Sequence, residues 1–342
     1  MTTPSGRITA QDIKNEFGEH NGMMRMSDYR VSQTIGELTL NIGDGVPSSG
    51  AISFDSLRNK RLNIVVDYWR SANANISRQT NGANTMNARN RYENESNRVT
   101  VVCGKKSIPS DTSPHRVRIH VNQPLGGAKG DQNVCALRTG SFNPGTSLIV
   151  DVGSNGKIYG GGGDGGQGGD VDSSGHAGEN GASALGIDYN GTTVTVASGG
   201  LIRCGFGGGG GGGAGRQNDK GSERTVGGGG GGGGQGYPGG AGGSEGNADH
   251  GQGPGSAGDI SEAGEGGGGG NNGNQAYSGA GGEGGGQGEA ADAGAGGNHG
   301  SGAGGGQGSA IRRGTYPDGT AFAVTINNNG SIVGNTDQTG VN

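Results

Sequence analysis

The sequence predicts a mainly β protein that carries a bundle of polyglycine II helices. Residues 160–309 hold 66 of the 87 glycines, nearly half of the positions there, whereas average usage is about 7%. Runs of seven (207–213) and eight (227–234) glycines occur, and elsewhere, as in 162–170, the chain repeats a Gly-Gly-X triplet. Most aliphatic residues precede residue 160, in short stretches typical of strands.

The glycine tract has three interpretations. Collagen requires abundant proline, but only Pro238 and Pro254 lie in the tract. A flexible linker is the second, although about 150 residues with kept triplets are unusual for one. The third is a bundle of polyglycine II helices, which have about 3 residues per turn and no internal hydrogen bonds, so that their backbone groups must bond to neighbouring helices. We favour the bundle.

Polar breaks in the tract predict turns between antiparallel helices. We place these turns at 171–180, 214–226, 235–238, 244–258, 271–278, 290–293 and 298–301. Varied loops on a uniform scaffold suit a binding surface. Seven loop residues are therefore candidate receptor-binding residues: Arg216, Asp219, Lys220, Tyr237, His250, Tyr277 and His299. Tyr237 and Tyr277 would be stacking platforms, with edge packing on the bundle as the alternative.

Residues 1–60 contain an internal repeat that predicts small helical docking modules. Residues 5–15 align with residues 49–59, and Thr9 and Ser53 are predicted N-caps of short helices. Gly18 would end the first helix, and residues 26–29 form a third related piece. Modules this small bury too little surface to be stable alone, so we expect them to dock onto a larger partner.

Residues 61–158 are predicted to form an antiparallel β-sandwich domain. The predicted strands are 62–69, 98–103, 116–121, 134–137 and 148–152, and their alternation with one polar face favours antiparallel pairing. Trp69 is expected in the core, and His115 and His120 are expected to be structural. The three cysteines, Cys103, Cys135 and Cys204, are too few and too widely spaced for a disulfide framework, so we expect small buried side chains.

A second repeat predicts three β-hairpins that frame the glycine tract. Each repeat has the pattern of a strand, a Gly- or Asn-rich turn and a second strand, and the three repeats are 148–160, 194–205 and 323–334. The predicted organisation is therefore docking modules at 1–60, a sandwich at 61–158, a polyglycine II bundle at 159–312, and a C-terminal hairpin cap at 313–342. The glycine-rich part would form a sandwich between the hairpins.

Composition and motifs argue against several function classes. The net charge of −5 and a pI near 5.7, with no dense basic run, argue against nucleic acid as a partner. The sequence has no apolar signal segment and no stretch of 18 apolar residues, so neither secretion nor membrane insertion is expected.

No enzyme, cofactor or metal site is predicted either. Matches to Gly-x-Gly-x-x-Gly are trivial in this tract because no strand–helix context surrounds them. Residues 168–172 bear some likeness to calcium-binding repeats, but the nine-residue period is missing. Paired carboxylates such as Glu262 and Glu265 are most simply solubilising loop charges.

The segments 148–169 and 324–334 resemble bacteriophage tail proteins with polyglycine-helix domains, in particular the receptor-recognising adhesins at the long-tail-fibre tip of T-even-like phages. Residues 8–18 and 26–30 resemble short modules of phage virion proteins. The resemblance implies a non-enzymatic protein of the virion tail, made in the host cytoplasm. It would attach to other tail proteins through residues 1–158 and present its glycine-domain loops to a host-surface protein or glycan.

The N-terminal half departs from the fibre-binding domain of those adhesins, which leaves the attachment point open. The oligomeric state is also open, since a trimer is expected within a fibre and a monomer at its tip. Two alternatives remain: a purely structural tail component with the bundle as a rigid spike, and, more remotely, an ice-binding protein.

Overall fold

The computed structural model describes most of the chain from residue 116 to 341 and shorter stretches before it. The described residues are 5–17, 26, 33–35, 38–40, 49–58, 63–68, 86–87, 99–101 and 116–341, the last range without 128, 130, 141, 143, 220–221, 249–252 and 270–276. Within them the protein is mainly β, with one α-helix, α1 (Ala10–Phe17), and one 3₁₀ turn (Asp55–Leu57).

Nineteen strands are formed in the described part, and the predicted mainly β class is confirmed. They are β1 (Gln33–Ile35), β2 (Leu38–Leu40), β3 (Asn63–Tyr68), β4 (Met86–Asn87), β5 (Val99–Val101), β6 (Arg116–Val121), β7 (Pro124–Gly126), β8 (Cys135–Arg138), β9 (Ser147–Val152), β10 (Lys157–Tyr159), β11 (Ser183–Ile187), β12 (Thr192–Val196), β13 (Leu201–Arg203), β14 (Gly215–Asp219), β15 (Ser222–Val226), β16 (Ile311–Arg313), β17 (Val324–Asn328), β18 (Ser331–Val333) and β19 (Gln338–Thr339).

Most strands build a three-sided parallel solenoid. Consecutive strands such as β9, β10 and β11 join a first, a second and a third sheet in turn. One turn of the solenoid is called a rung here, and from β6 onward each rung gives one strand to each sheet. The sheet orders are β17-β12-β9-β6-β3-β5, β18-β13-β10-β7 and β19-β16-β11-β8-β4. Neighbours in these sheets pair in parallel, apart from the antiparallel pair β3 and β5.

The predicted antiparallel sandwich and the three predicted hairpins are therefore wrong. After β9 the chain turns at 153–156 and enters a different sheet, so β9 and β10 do not pair with each other. The turn bonds to the rung below, because the N–H of Gly153 donates to the carbonyl of Val121 at 2.8 Å. Strand–turn–strand patterns look alike whether the two strands pair or separate, so the sequence does not distinguish these cases.

Ladders of aliphatic side chains set the register of the rungs. Pairing aligns Leu125, Ile158 and Ile202 in the second sheet, all fully buried, and this stacking buries apolar area on every rung. Cys135 and Cys204 lie in the same interior, as expected. Burial raises the pKa of their thiols to about 12 and about 11, so both stay protonated and unreactive.

The glycine tract leaves the solenoid at one corner. Residues 160–182 connect β10 to β11, and residues 204–310 connect β13 to β16. Both insertions join the second sheet to the third, on successive rungs. The predicted domain boundaries after residues 158 and 312 therefore fall inside the solenoid.

The two insertions contain ten glycine segments that run back and forth. Eight outer segments (160–170, 173–182, 239–247, 253–260, 262–269, 277–286, 289–297 and 299–308) surround two inner segments (205–214 and 227–236). The hydrogen bonds between segments recur at every third residue. For example, the N–H groups of Gly163, Gly166 and Gly169 donate to three carbonyls of segment 205–214 at 2.8 Å.

Each inner segment has hydrogen bonds to six other segments. Segment 205–214 bonds to 160–170, 173–182, 227–236, 277–286, 289–297 and 299–308, and segment 227–236 bonds to 160–170, 205–214, 239–247, 253–260, 262–269 and 277–286. The middle parts of these inner segments are the runs of seven and eight glycines (207–213 and 227–234), because a segment that is enclosed on six sides leaves no room there for a side chain. In outer segment 160–170, third residues such as Gln167 and Asp170 are exposed.

Several predicted turns are wrong because these outward third residues resemble breaks. Most of 171–180 belongs to a segment, with the turn only at 171–172, and 290–293 follows the actual turn at 287–288. The predicted turn at 235–238 is present. Residues 214–226 form the antiparallel β14–β15 hairpin, and residues 271–276 lie outside the described part.

The first N-terminal module forms as predicted and the second differs. The Asp12 N–H donates to Thr9 Oγ1 at 3.2 Å, and the Thr9 N–H donates to the Asp12 carboxylate at 2.8 Å, which is a reciprocal N-cap. The Thr9 hydroxyl also donates to the Asp12 carboxylate at 2.6 Å. This bond and the one from the Thr9 N–H lower the pKa of Asp12. Ser53 is not an N-cap, since the turn begins after Phe54. Ile13 and Leu57 are fully buried in the main hydrophobic core.

Other N-terminal predictions fall outside the described residues. These are Gly18, residues 27–29, Trp69, Cys103 and His115. His120, in contrast, is described and buried, in agreement with its expected structural role.

Two adjacent glycines provide a matched test of the bundle. A Cβ at Gly267 would lie 1.9 Å from the carbonyl oxygen of Gly253, whereas a Cβ at Gly268 would meet nothing within 4 Å. We expect Gly267→Ala to lower the unfolding free energy by about 1–3 kcal/mol or more and Gly268→Ala to leave it unchanged or slightly raised. Thermal unfolding of the two variants measures this difference, and equal melting temperatures would contradict the packing.

Candidate functional site

The alternating segments gather their connections at two ends of the bundle. The solenoid end carries the turns at 237–238 and 287–288. The opposite end, called here the distal end, carries the turn at 171–172, the β14–β15 hairpin and the turn at 298. These distal connections lie away from the solenoid, so their side chains can vary without disturbing its strands.

The structure brings three of the seven predicted site residues together at the distal end. Arg216 is the second residue of the hairpin, Tyr277 begins segment 277–286, and His299 begins segment 299–308. Asp219 ends β14 on the same hairpin. Lys220 and His250 lie outside the described residues.

An aspartate that was not predicted joins two of these residues. The Asp172 carboxylate pairs with the Arg216 guanidinium and lies 3.6 Å from His299 Nε2. Between 33 and 39% of each of these side chains is exposed, so the attraction is screened by water. The group presents one anionic and two nitrogen-bearing side chains on a common surface.

Backbone contacts fix the position of this cluster. The Arg216 N–H donates to Asn298 Oδ1 at 3.1 Å, and the His299 N–H donates to the carbonyl of Ala214 at 3.1 Å. Asp172 has a positive φ of 61°, a left-handed conformation that aspartate tolerates better than most residues. This conformation lets the chain reverse within two residues. Neither Asp172 nor Asn298 carries a sequence signal that marks it as a site residue.

Tyr277 provides an exposed aromatic ring at the same end of the bundle. It is 56% exposed, and its carbonyl oxygen would be 2.3 Å from a Cβ placed on Gly215. The backbone of Tyr277 is thus packed closely against the base of the hairpin that carries Arg216. An exposed ring next to hydrogen-bonding side chains suits stacking on a sugar or a protein side chain.

Tyr237 does not belong to this surface. It lies at the solenoid end, partly buried, with its ring edge-on to Tyr159 at a centroid separation of 6.0 Å. Its carbonyl accepts a hydrogen bond from the Gly127 N–H at 2.9 Å. The Arg203 guanidinium in turn stacks 4.8 Å from the centre of the Tyr159 ring. Edge packing, the alternative to a stacking platform, therefore describes Tyr237.

The described part of the chain shows neither a metal site nor a membrane-spanning helix. It contains no group of three or more His, Cys, Asp or Glu residues that could hold a metal ion. No helix in it has the length and apolar character needed to cross a membrane.

Comparison with known proteins identifies the family. The model of the family "Phage tail fibre adhesin Gp38" matches residues 71–337. The chain belongs to this family. It is a receptor-binding adhesin of the virion tail, as its resemblance to phage tail-fibre tips implied, and the predicted virion location is confirmed.

The other comparisons add one structure and no curated relative. The adhesin is similar to the crystal structure of the gp37-gp38 adhesin tip complex of the bacteriophage S16 long tail fiber, with 17% identity and a TM-score of 0.36 over 86% of this chain and 90% of that chain. No curated protein matches the sequence at a significant level.

Proposed function

We propose that the distal end of the glycine bundle is the receptor-binding surface of this adhesin, and that it binds a host cell-surface protein or glycan. The observation that carries this proposal is the convergence of Asp172, Arg216, His299 and exposed Tyr277 from four separate parts of the tract. Asp219, Lys220 and His250 are kept as candidate receptor-binding residues on the sequence evidence alone.

The glycine segments are proposed to be polyglycine II helices that act as a rigid frame. Their three-residue hydrogen-bond period and the absence of bonds within a segment support this assignment in the described part of the tract. A rigid frame lowers the entropy lost on binding, because its loops are already ordered.

The N-terminal region is proposed to attach the adhesin to other tail proteins. The modules at 1–60 and the solenoid rungs up to residue 158 would supply this contact. We propose that the protein acts by binding alone, without catalysis, and that the solenoid and the bundle are its two principal structural units.

Substitutions of Tyr277 and Tyr237 distinguish an effect on receptor binding from an effect on the stability of the fold. Tyr277→Ala should weaken binding of the full-length protein to host cells by about tenfold, because the mutation removes an exposed ring that contributes about 1–2 kcal/mol, and should leave the melting temperature unchanged. Tyr237→Ala should lower the melting temperature, because it removes a packed ring, and should leave binding unchanged. Cell binding titrations and thermal unfolding of both variants measure the two effects. The reverse pattern would move the receptor site to the solenoid end.

A second comparison uses two ion pairs at opposite ends of the bundle. Asp172→Asn removes the charge that orients Arg216 and should reduce cell binding several-fold. Asp164→Asn removes the charge that faces Lys129 at 3.0 Å near the solenoid and should leave binding intact. Equal binding by both variants in the same titration would argue against the distal cluster.

A further inference from the structure

A cavity of about 490 Å³ opens at the solenoid end of the bundle. Its walls come from Phe206 and Gly207, from Gly285 and residues 288–291, and from residues 305–307. Glycines and alanines supply most of this lining, with Glu289 and Gln307 as its polar side chains. The volume falls in the range of about 300–1,000 Å³ that is usual for ligand pockets.

The cavity coincides with an interruption in the hydrogen bonding of inner segment 205–214. Nine of its ten N–H groups donate to carbonyls of neighbouring segments, and the tenth, that of Gly207, has no acceptor among the described residues. Gly207 is buried and lines the cavity. A buried N–H without a partner is rare and costly in proteins.

The 286–289 turn accounts for the missing bond. Gly210 and Gly213 donate to Asp292 and Ala295, so the three-residue period assigns the Glu289 carbonyl to Gly207. That carbonyl instead accepts a hydrogen bond from the Gly286 N–H at 3.1 Å. The Glu289 carbonyl is thus used within the turn. The position at which the three-residue period would place an acceptor for the Gly207 N–H is left empty.

A second row of hydrogen bonds between glycine segments is interrupted at the same place. The Gly294 N–H donates to the carbonyl of Gly302 at 3.0 Å. Since segments 289–297 and 299–308 run in opposite directions, the three-residue period pairs the Ala291 N–H with the carbonyl of Gly305. Neither of these two groups has a backbone partner in the described part. The cavity wall thus contains two backbone donors, Gly207 and Ala291, and one backbone acceptor, Gly305.

We propose that this cavity binds an extended peptide of glycine, alanine or serine residues from a partner protein. A peptide backbone offers both carbonyl acceptors and N–H donors, which are the groups that these three residues lack. The glycine and alanine walls allow the close approach that segments make elsewhere in the bundle, and this favours small residues in the peptide. A glycan is disfavoured because Phe206 is only 3% exposed and offers no ring face for stacking.

Hydrogen exchange of individual glycine amides in the full-length protein tests the proposal. In the free protein, Gly207 should exchange at least tenfold faster than Gly210, which keeps its bond. A capped hexapeptide, Gly-Ala-Gly-Gly-Ala-Gly, should then slow exchange at Gly207 at least tenfold and leave Gly210 unchanged.

Cavity-filling variants locate the binding. Ala291→Leu should abolish the protection by the peptide, and Ala303→Leu, at an exposed position of segment 299–308 outside the cavity lining, should retain it. Ala290→Leu, at an exposed lining position, replaces Ala291→Leu should that variant misfold.

Three results would overturn the proposal. Slow exchange at Gly207 in the absence of peptide would mean that the cavity is closed. Protection by maltohexaose in place of the peptide would make the cavity a glycan site. Equal protection in the cavity-filled and control variants would place the peptide elsewhere.

Discussion

The glycine segments have few side chains, so their backbone N–H and C=O groups have to find partners on neighbouring segments. This requirement determines the architecture of the tract. An inner segment needs neighbours on all sides, and only glycine allows their backbones to approach closely. The ordering of so many glycines is entropically costly, and the dense hydrogen bonding between segments offsets that cost. Where one partner is withdrawn, at Gly207, a cavity results.

The solenoid fixes the relative positions at which the first glycine segments begin. Its parallel sheets hold successive rungs in line through stacked aliphatic residues such as Leu125, Ile158 and Ile202. Two neighbouring rungs extend at the same corner, so the first glycine segments begin side by side and the later ones fold against them. The end that is anchored to the solenoid is packed around Tyr237, and the opposite end can carry variable residues.

Much of the local structure could be predicted from the sequence, because it depends on local patterns. The strands β3, β6 and β9, the N-cap at Thr9 and the glycine segments follow from alternation, capping residues and triplets. Strand partners depend on residues distant in the chain, so the parallel solenoid was mistaken for hairpins. Three residues of the proposed site, Arg216, Tyr277 and His299, could be named from the sequence, since they are conspicuous in a glycine tract. Asp172 was missed, because an outward aspartate occurs in many triplets.

The central claim is that the adhesin engages its receptor through the distal end of the bundle. Hydroxyl-radical footprinting of the full-length protein, with and without host cell-envelope fragments, tests this claim most directly. We expect protection at Arg216, Tyr277 and His299, and none at Tyr237 or in the 287–288 turn. Protection confined to the solenoid end, with the distal residues unchanged, would contradict the account.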